Sequence, residues 1–369
     1  MEVNEILKIY GTDYKEMTKT ILREAEAASL INVNAKVGIK PNLVAPSPAC
    51  FGSTTHPEIV EGIIEYLREN GINNIVIMEG SWVGDSTQDS FEYCGYNALA
   101  RSYDIPLIDT QKQHSYTADC HGMELNICDC YKDIDFLINV PVLKGHCQTK
   151  ITCALKNVKG LIPNTEKRRF HTLGLHEPIA HLNTHIKQGL IVVDHICGDP
   201  DYEEGGNPLV KNCIMVSRDP VLTDSYVCSL FDYSVDDVPY IKMAYEMGVG
   251  ESDLSKLSIR ILNKDEEGIV DEAMPLSHKV LDVNYATSEV DSCSACYAAL
   301  IGALDRLKEE GFLDKFDGKI SIGQGHRGKT GEYGVGNCTS KFKYTVKGCP
   351  PEEDDIYNTY IDIIAKKTK

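Results

Sequence analysis

Four cysteines near the C-terminus have the side-chain type and the spacing that metal-cluster binding requires. Cys293 and Cys296 are two residues apart, which places both thiolates on one side of a turn. Cys338 ends a Gly-Asn-Cys triplet, and Cys349 lies in the sequence Gly-Cys-Pro-Pro. Thiolates are soft anionic donors that bind iron well, and four of them complete the coordination of a 4Fe–4S cubane. The pattern predicts one 4Fe–4S cluster held by these four residues.

Two other interpretations of these thiols stay open. Zinc also takes four cysteines, but small zinc sites usually repeat a CxxC pair, whereas the second pair here is spread over separate loops. Alternatively, the four residues are unrelated thiols among the 14 cysteines of the chain. Free cysteine behaves as a small hydrophobe and is often buried, so a chain can contain such thiols without a metal site.

A basic segment in the middle of the chain indicates a second site. Residues 144–169 contain seven lysines and arginines against one acid, in a chain whose net charge is −18. Apolar residues and glycines interleave with these charges, which a plain solvated face does not need, although such a face is the alternative. We interpret the segment as part of a cleft that binds a small anionic substrate or a second cofactor through a carboxylate or a phosphate. The predicted binding residues are Lys40, Asn42, Lys150, Lys156, Asn157 and Lys159.

Three residues are candidates for catalysis. Lys144 and His146 follow the end of a predicted strand, and His195 ends another. A histidine can exchange protons near neutral pH, but a hydrogen-bonded histidine at a strand end explains His195 equally well. His181 and His185 are four residues apart on a predicted helix and could share a metal ion. The sequence lacks the HExxH motif, so exposed polar residues are the preferred interpretation of that pair.

The elements that must position these residues indicate an α/β fold. Continuous β-branched runs at 37–40, 74–78, 135–140 and 190–194 alternate with helical segments, which is typical of parallel strands buried on both faces. Sites in such folds form at the carboxyl ends of the strands. The chain should therefore contain a large Rossmann-like parallel sheet. Thr55 and Glu58 predict a capping box for the helix that follows the first of these strands.

The C-terminal part predicts a smaller α/β domain. Strands at 279–283, 319–322 and 342–346 would precede the cysteine elements, with helices at 294–310 and 352–366. The acidic, turn-rich residues 263–275 mark the boundary. We therefore expect an α/β domain with the anion cleft at residues 1–270 and an iron–sulfur domain at 276–369.

Three resemblances add to this interpretation. The cysteine spacing is similar to the proximal cluster motif of the nickel–iron hydrogenase small subunit and of its relative in NADH–quinone oxidoreductase, over residues 293–351 only, and implies a single-electron relay. The overall layout also resembles, faintly, the lactate racemase family. A likeness over most of the chain is to the family called domain of unknown function 362, whose members are often joined to iron–sulfur modules; it implies fold and cluster content but no reaction. The motifs that carry this last likeness are residues 37–42, 141–146, 152–160 and 218–220 with Asp224.

The composition of the chain limits the compartments and partners that can be expected. The charged N-terminus and the lack of a membrane-length apolar run predict a cytoplasmic protein, and 14 cysteines in such a chain suit a reducing compartment. The net charge of −18 argues against nucleic acid as a partner. No dinucleotide or nucleoside-triphosphate motif is present. We expect a redox protein with an unidentified partner protein, and leave its status as an enzyme open. The alternatives are a metal-dependent isomerase or lyase and a non-enzymatic electron carrier or cluster-assembly protein.

Overall fold

The computed structural model describes residues 1–263, 273–274 and 279–367. The chain forms two compact units: residues 1–167 with 175–276, and residues 168–174 with 277–369. The predicted boundary segment lies mostly outside the described residues. No helix in the part of the chain that the structure describes is long and apolar enough to cross a membrane.

The N-terminal unit is built on a sheet whose order, within the described residues, is β12-β1-β11-β10-β7-β2-β3-β4. Its strands, together with those of two small hairpins (β5–β6 and β8–β9), are β1 (Glu5–Tyr10), β2 (Val37–Pro41), β3 (Ile75–Glu79), β4 (Leu107–Asp109), β5 (Ser115–Cys120), β6 (Met123–Cys128), β7 (Phe136–Val140), β8 (Lys144–His146), β9 (Lys150–Thr152), β10 (Leu190–Gly198), β11 (Leu209–Ser217) and β12 (Ser258–Ile261). The pairs of the large sheet are parallel except those of β11, which is antiparallel to both β1 and β10.

Helices alternate with these strands along the chain. They are α1 (Tyr14–Glu24), α2 (Pro57–Glu69), α3 (Thr87–Tyr93), α4 (Tyr96–Tyr103), α5 (Ala154–Asn157), α6 (Asn164–Thr172), α7 (His176–His185), α8 (Pro220–Leu230) and α9 (Pro239–Glu246). The core beneath α1 and α2 is aliphatic, with Ile21, Ile63, Val37 and Ile77 all fully buried, as parallel strands covered by helices require.

The predicted α/β class is confirmed, with local differences. Strand β1, which the sequence interpretation omitted, pairs with two neighbours. The capping box at Thr55 is wrong, because His56 is the N-cap of α2 and has no side-chain cap. Thr55 Oγ1 instead donates to Val140 O at 2.8 Å. The backbone N–H of His56 is satisfied by the Asp194 carboxylate at 2.8 Å, so a long-range acid replaces the local cap.

The C-terminal unit contains a parallel sheet of order β13-β14-β15-β16 within the described residues. Its elements are α10 (Lys279–Val283), β13 (Thr287–Glu289), α11 (Ser294–Glu309), β14 (Ile320–Ile322), β15 (Tyr333–Val335), β16 (Tyr344–Val346) and α12 (Glu353–Lys367). The predicted strand at 279–283 is wrong, since this segment is helical. Val283 is buried while Leu281 is 65% exposed, which fits a helical turn better than a strand, where residues two apart share a face.

Candidate functional site

The four predicted cluster cysteines lie beyond the carboxyl ends of three strands of the four-stranded sheet. Cys293 follows β13, Cys338 follows β15 and Cys349 follows β16. The prediction that Cys338 follows the strand at 319–322 is therefore corrected, because that strand (β14) leads into the Gly323–Arg327 loop instead. Parallel strands end at one edge of their sheet, so the topology brings these loops to one place.

The start of α11 holds two of the thiols. Cys293 is the N-cap residue of this 16-residue helix, and Cys296 lies in its first turn. Backbone N–H groups at a helix N-terminus carry partial positive charge and favour anionic groups there. The position therefore suits thiolates, or an anionic group bound to them.

The four thiols share one electrostatic neighbourhood. Burial raises the pKa of the Cys296 thiol, and the neighbouring Cys293, Cys349 and Cys338 raise it further. A hydrogen bond with Cys338 raises the pKa of the Arg327 guanidinium, which also faces Cys293 and Cys349. A cation among converging thiols stabilises their charged form.

The glycines beside the later cysteines shape the loops. Gly336 has φ +85° and Gly348 has φ +149°, a region that residues with a Cβ rarely adopt. Asn337 joins the two loops, since its backbone N–H donates to Gly348 O at 2.9 Å and its Oδ1 accepts from Gly348 N at 3.1 Å. The loops that carry Cys338 and Cys349 are thus fastened to each other.

The spacing of these thiols bears on which metal they fit. Among the described residues, no three His, Cys, Asp or Glu side chains form a group that could hold a metal ion. A tetrahedral zinc, with Zn–S bonds of about 2.3 Å, needs its sulfurs within about 3.8 Å of one another. A four-iron cubane binds each thiolate to a different iron, so its sulfurs stand further apart. Four thiolate donors are the ligand set of a 4Fe–4S cluster and also of a structural zinc site.

A second group of polar residues is buried in the N-terminal unit, at the carboxyl end of β2. Lys40 is 1% exposed, and its Nζ donates to Glu79 Oε2 at 2.6 Å and to Asn157 Oδ1 at 3.3 Å. Burial lowers the pKa of Lys40, whereas Glu79 opposes that shift. Gly160 permits this pair, because a Cβ there would lie 2.1 Å from Glu79 Oε1.

Glu203 organises the adjoining part of the group. Its Oε1 lies 2.5 Å from Lys156 Nζ, and its Oε2 lies 2.8 Å from His146 Nε2. His146 Nδ1 accepts from the backbone N–H groups of Gln148 and Thr149 at 3.0 and 3.2 Å. Its proton is therefore on Nε2, facing Glu203. Burial lowers the pKa of His146 to about 4, so the ring is neutral at pH 7.

Lys144 is held mainly by backbone carbonyl groups. Its Nζ donates to Ser53 O at 2.6 Å and to Glu203 O at 2.7 Å, with Asn42 Oδ1 at 3.5 Å. Burial lowers its pKa to about 7, so it is a proton donor or acceptor near neutral pH. The charge of Lys156 also lowers the pKa of Lys144, which places the two lysines in one cluster.

Helix α5 presents Lys156 and Asn157 to this cluster. The Asp224 carboxylate, on α8, accepts from Ala154 N at 2.7 Å and from Leu155 N at 3.1 Å. Burial raises the pKa of Asp224 to about 7. The short helix is thus fixed by a buried acid from another element, a contact that local sequence does not reveal.

We call Lys40, Asn42, Glu79, Lys144, His146, Lys156, Asn157, Lys167 and Glu203 the lysine cluster. Lys167 enters it by donating to Gly80 O and Ser81 O at 2.9 and 2.7 Å, and burial lowers its pKa to about 8. Lysines outnumber carboxylates in this group, and Glu204 and Asp199 add negative charge near Lys144. Chemically, it can hold an anion and move a proton at Lys144.

Three predicted residues lie apart from the central cluster. Lys150 is 40% exposed at its side chain and pairs with Asp237 at 3.0 Å. Lys159 is half-buried, and its charge lowers the pKa of His146. His195 is buried, and its charged neighbours are Lys8, Lys211 and Asp194; burial and the two lysines lower its pKa to about 3. His195 is therefore neutral and has no charged neighbour in the lysine cluster.

The two α7 histidines have separate partners. His181 Nδ1 lies 2.7 Å from Cys120 O, and His185 Nε2 lies 3.1 Å from the Tyr116 hydroxyl. His181 is buried, so the expectation of an exposed polar pair holds only for His185, which is partly exposed.

Sequence reasoning missed the acids that complete the cluster. Glu79 ends β3 next to Gly80, so the strand-end rule that selected Lys40 would have found it as well. Glu203 lies in an acidic loop, 47 residues from the lysine it pairs with, and no local signal marks it.

Comparison with known proteins shows what this chain is similar to and which family it belongs to. A thylakoid-associated protein of Synechocystis sp. is 29% identical over 136 residues, which are 37% of this chain and 42% of that protein, so the match spans less than half of the relative. A Thermotoga maritima crystal structure covers 60% of each chain at 14% identity and a TM-score of 0.40. The lactate racemase apoprotein of Thermoanaerobacterium thermosaccharolyticum covers 51% of this chain and 50% of that one at 12% identity, with a TM-score of 0.34. Both TM-scores are too low to carry an argument about function. The model of the family described as domain of unknown function (DUF362) matches residues 37–229, and the chain belongs to this family.

Proposed function

We propose that this protein is an iron–sulfur redox protein. Its C-terminal unit would hold one 4Fe–4S cluster on Cys293, Cys296, Cys338 and Cys349. Such a cluster supplies one-electron transfer. The protein would pass electrons to or from a small anionic substrate or cofactor held by the lysine cluster of the N-terminal unit.

The observation that carries the proposal is the grouping of four thiols with hydrogen-bond donors at the strand ends. Gln324 Nε2 lies 4.0 Å from Cys293 Sγ, and the interaction with Cys338 raises the pKa of the Arg327 guanidinium. Donors to sulfur raise the potential of a cluster and neutralise part of its charge. A set of buried structural thiols would need neither an arginine nor an amide pointing at its sulfurs.

The decisive experiment is anaerobic purification with iron, sulfide and zinc analysis, followed by electron paramagnetic resonance. We expect about four irons and four sulfides per chain and a signal that appears on reduction with dithionite. Cys349→Ser should lose most of its iron. The matched control is Cys50→Ser, because Cys50 is also exposed but lies in the N-terminal unit; it should keep full iron content.

The alternatives give different results. Stoichiometric zinc without sulfide, or a Cys349→Ser protein that keeps its iron, would overturn the cluster assignment. A cluster that resists reduction but is required for turnover favours a metal-dependent isomerase or lyase. A cluster that transfers to an apo-protein favours an assembly role.

The exposed surface around the cysteine loops supports a redox partner of acidic character. Residues 327–347 carry five exposed cations against one exposed acid, Glu332, which reverses the sign of a chain with net charge −18. Complementary charge accelerates association and makes it sensitive to salt. Electron transfer from a small acidic carrier should therefore slow steeply as salt is raised. The cations are Arg327, Lys329, Lys341, Lys343 and Lys347.

The anion site has its own test, which does not depend on the cluster. Small carboxylates and inorganic phosphate should raise the melting temperature of the wild-type protein through ligand linkage. Alanine substitution of Lys144 or of Lys156 should abolish that rise. Lys150→Ala is the matched control, because Lys150 belongs to the same basic segment but pairs with Asp237 at the surface. Unchanged stabilisation in both cluster variants would refute the site.

A further inference from the structure

Glu203 contacts the donors of the lysine cluster in the way that a bound carboxylate would. Its Oε1 lies 2.5 Å from Lys156 Nζ, and its Oε2 lies 2.8 Å from His146 Nε2. One oxygen thus faces an ammonium group and the other an imidazole N–H, which are donors that proteins use to hold a carboxylate. The side chain therefore occupies the groups that the proposed anion site would offer to a ligand.

The two donors are held in place by contacts that do not involve Glu203. His146 Nδ1 accepts from two backbone N–H groups at 3.0 and 3.2 Å, which keeps the proton on Nε2. Lys156 lies on α5, whose Ala154 N–H donates to the Asp224 carboxylate at 2.7 Å. Both donors are therefore preorganised, and they remain directed at the same position if the Glu203 carboxylate leaves it.

Glu203 is also the member of this ion-paired group that lies nearest to solvent. Its side chain is 11% exposed, whereas that of Lys156 is 4% exposed and that of His146 is fully buried. Rotation about its own side-chain bonds would move the carboxylate into water and uncover both donors. The backbone of residue 203 has a separate contact, because its carbonyl oxygen accepts from Lys144 Nζ at 2.7 Å.

The contacts of this one residue also limit the distance between two ammonium groups. Glu203 reaches Lys144 through its backbone oxygen and Lys156 through its carboxylate, so a molecule the length of a glutamate residue can reach both lysines. The Lys144 ammonium has carbonyl oxygens at 2.6 and 2.7 Å and a loose contact with Asn42 Oδ1 at 3.5 Å. One of its N–H donors is therefore available to a ligand.

We propose that Glu203 is an internal ligand of the lysine cluster, and that a short dicarboxylate binds by replacing the Glu203 carboxylate and placing its second carboxylate at Lys144. This inference rests on the anion site of the proposed function and narrows its ligand from any small anion to a dicarboxylate of the length of a glutamate residue. The exchange at Lys156 and His146 substitutes one carboxylate for another, so no buried ammonium loses its counter-charge. The net gain in binding free energy comes from the second carboxylate at Lys144.

The substitution Glu203→Ala tests the internal ligand, because it removes the atoms that acetate would replace. The lost group is a methylene with a carboxylate, which has the size and the charge of acetate. Glu203→Gln is the matched control, since it leaves the same ammonium without its counter-charge but still fills the space. Melting temperatures are measured against acetate concentration at constant ionic strength, with chloride as the balancing anion, and give apparent dissociation constants through ligand linkage.

We expect acetate to stabilise Glu203→Ala more than it stabilises Glu203→Gln or the wild type. A position that Glu203 fills for more than about nine-tenths of the time weakens acetate binding at least about tenfold, so the apparent dissociation constant should fall by that factor in Glu203→Ala. If Glu203→Ala does not fold in chloride, recovery of its folded state in acetate supports the proposal, and failure to recover it overturns the proposal. Equal acetate effects in Glu203→Ala and Glu203→Gln would overturn it as well, because acetate would then only neutralise charge at another position.

The ligand class is tested on the wild-type protein. Glutarate should raise the melting temperature more than acetate or inorganic phosphate does at the same concentration and ionic strength, and this advantage should disappear in Lys144→Met. Acetate or phosphate that stabilises as strongly as glutarate would overturn the dicarboxylate assignment. A wild-type protein that no anion stabilises would overturn the proposed anion site itself; the acetate response of Glu203→Ala would then still decide whether Glu203 is an internal ligand.

Discussion

Removing the Glu203 carboxylate tests whether the lysine cluster is held together by its internal charges. Glu203 contacts Lys156 at 2.5 Å and His146 at 2.8 Å, and Lys156 is 4% exposed. The substitution Glu203→Gln keeps the shape of the side chain and removes its charge. It leaves a buried ammonium without its counter-charge, close to Lys144.

The magnitude follows from burial. Breaking one half of a buried ion pair costs about 3–5 kcal/mol, because the remaining charge stays desolvated. A surface pair is worth about 0–1 kcal/mol. Lys150→Met provides the matched comparison, because Lys150 and Asp237 are 40% and 45% exposed. We therefore expect a ratio of at least three between the free-energy losses of the two variants.

The assay is urea unfolding at pH 7, followed by circular dichroism, with a double variant as the internal check. Glu203→Gln with Lys156→Met should recover part of the loss, since the stranded charge is then gone. The pKa of Glu203 is held well below its usual range by Lys156 and His146 despite burial. The carboxylate therefore stabilises the fold above pH ~4.3, its unfolded pKa, and this contribution is lost as the pH falls. The reasoning is refuted if Glu203→Gln costs no more than Lys150→Met at pH 7.

Two further predictions concern the same cluster. Burial lowers the pKa of Lys144 to about 7, so the folded state binds fewer protons than the unfolded state between pH 7 and pH ~10.4. The free energy of unfolding should therefore rise with pH in this window, and Lys144→Met should flatten that rise in urea titrations at several pH values. Gly160→Ala should destabilise by about 1–3 kcal/mol, because the new Cβ would lie 2.5 Å from Lys40 Nζ; a melting temperature equal to that of the wild type would show that the Lys40–Glu79 pair can move aside.

The sequence allowed the cysteine site to be found because its signals are local. Each thiol lies within three residues of a glycine, a proline or the start of a helix, and these neighbours determine the turn that carries it. The strand preceding Cys338 was nevertheless assigned incorrectly, since β14, β15 and β16 have only three residues each. Strands this short have too few residues to show a period.

The ion pairs of the lysine cluster were beyond sequence reasoning for a different reason. A run of lysines in an acidic chain predicts an anion-binding surface, but the structure shows that Lys40 and Lys156 are buried against Glu79 and Glu203. Those pairings join residues 39 and 47 positions apart. Only the order of strands in the sheet decides that they meet.

These pairings also constrain how a ligand can bind. Desolvation makes an ammonium in this cluster costly unless a negative group lies beside it, and Glu79 and Glu203 supply that group for Lys40 and Lys156. Lys144 has carbonyl oxygens at 2.6 and 2.7 Å instead of a carboxylate, and its pKa is about 7. An incoming anion would therefore gain the most binding free energy at Lys144, where it would raise the pKa of the lysine and draw a proton into the protein.

Ligand binding at pH 8 should take up a proton from the buffer, and calorimetry in buffers of different ionisation enthalpy measures that uptake directly. Binding without proton uptake would mean that the anion is held elsewhere.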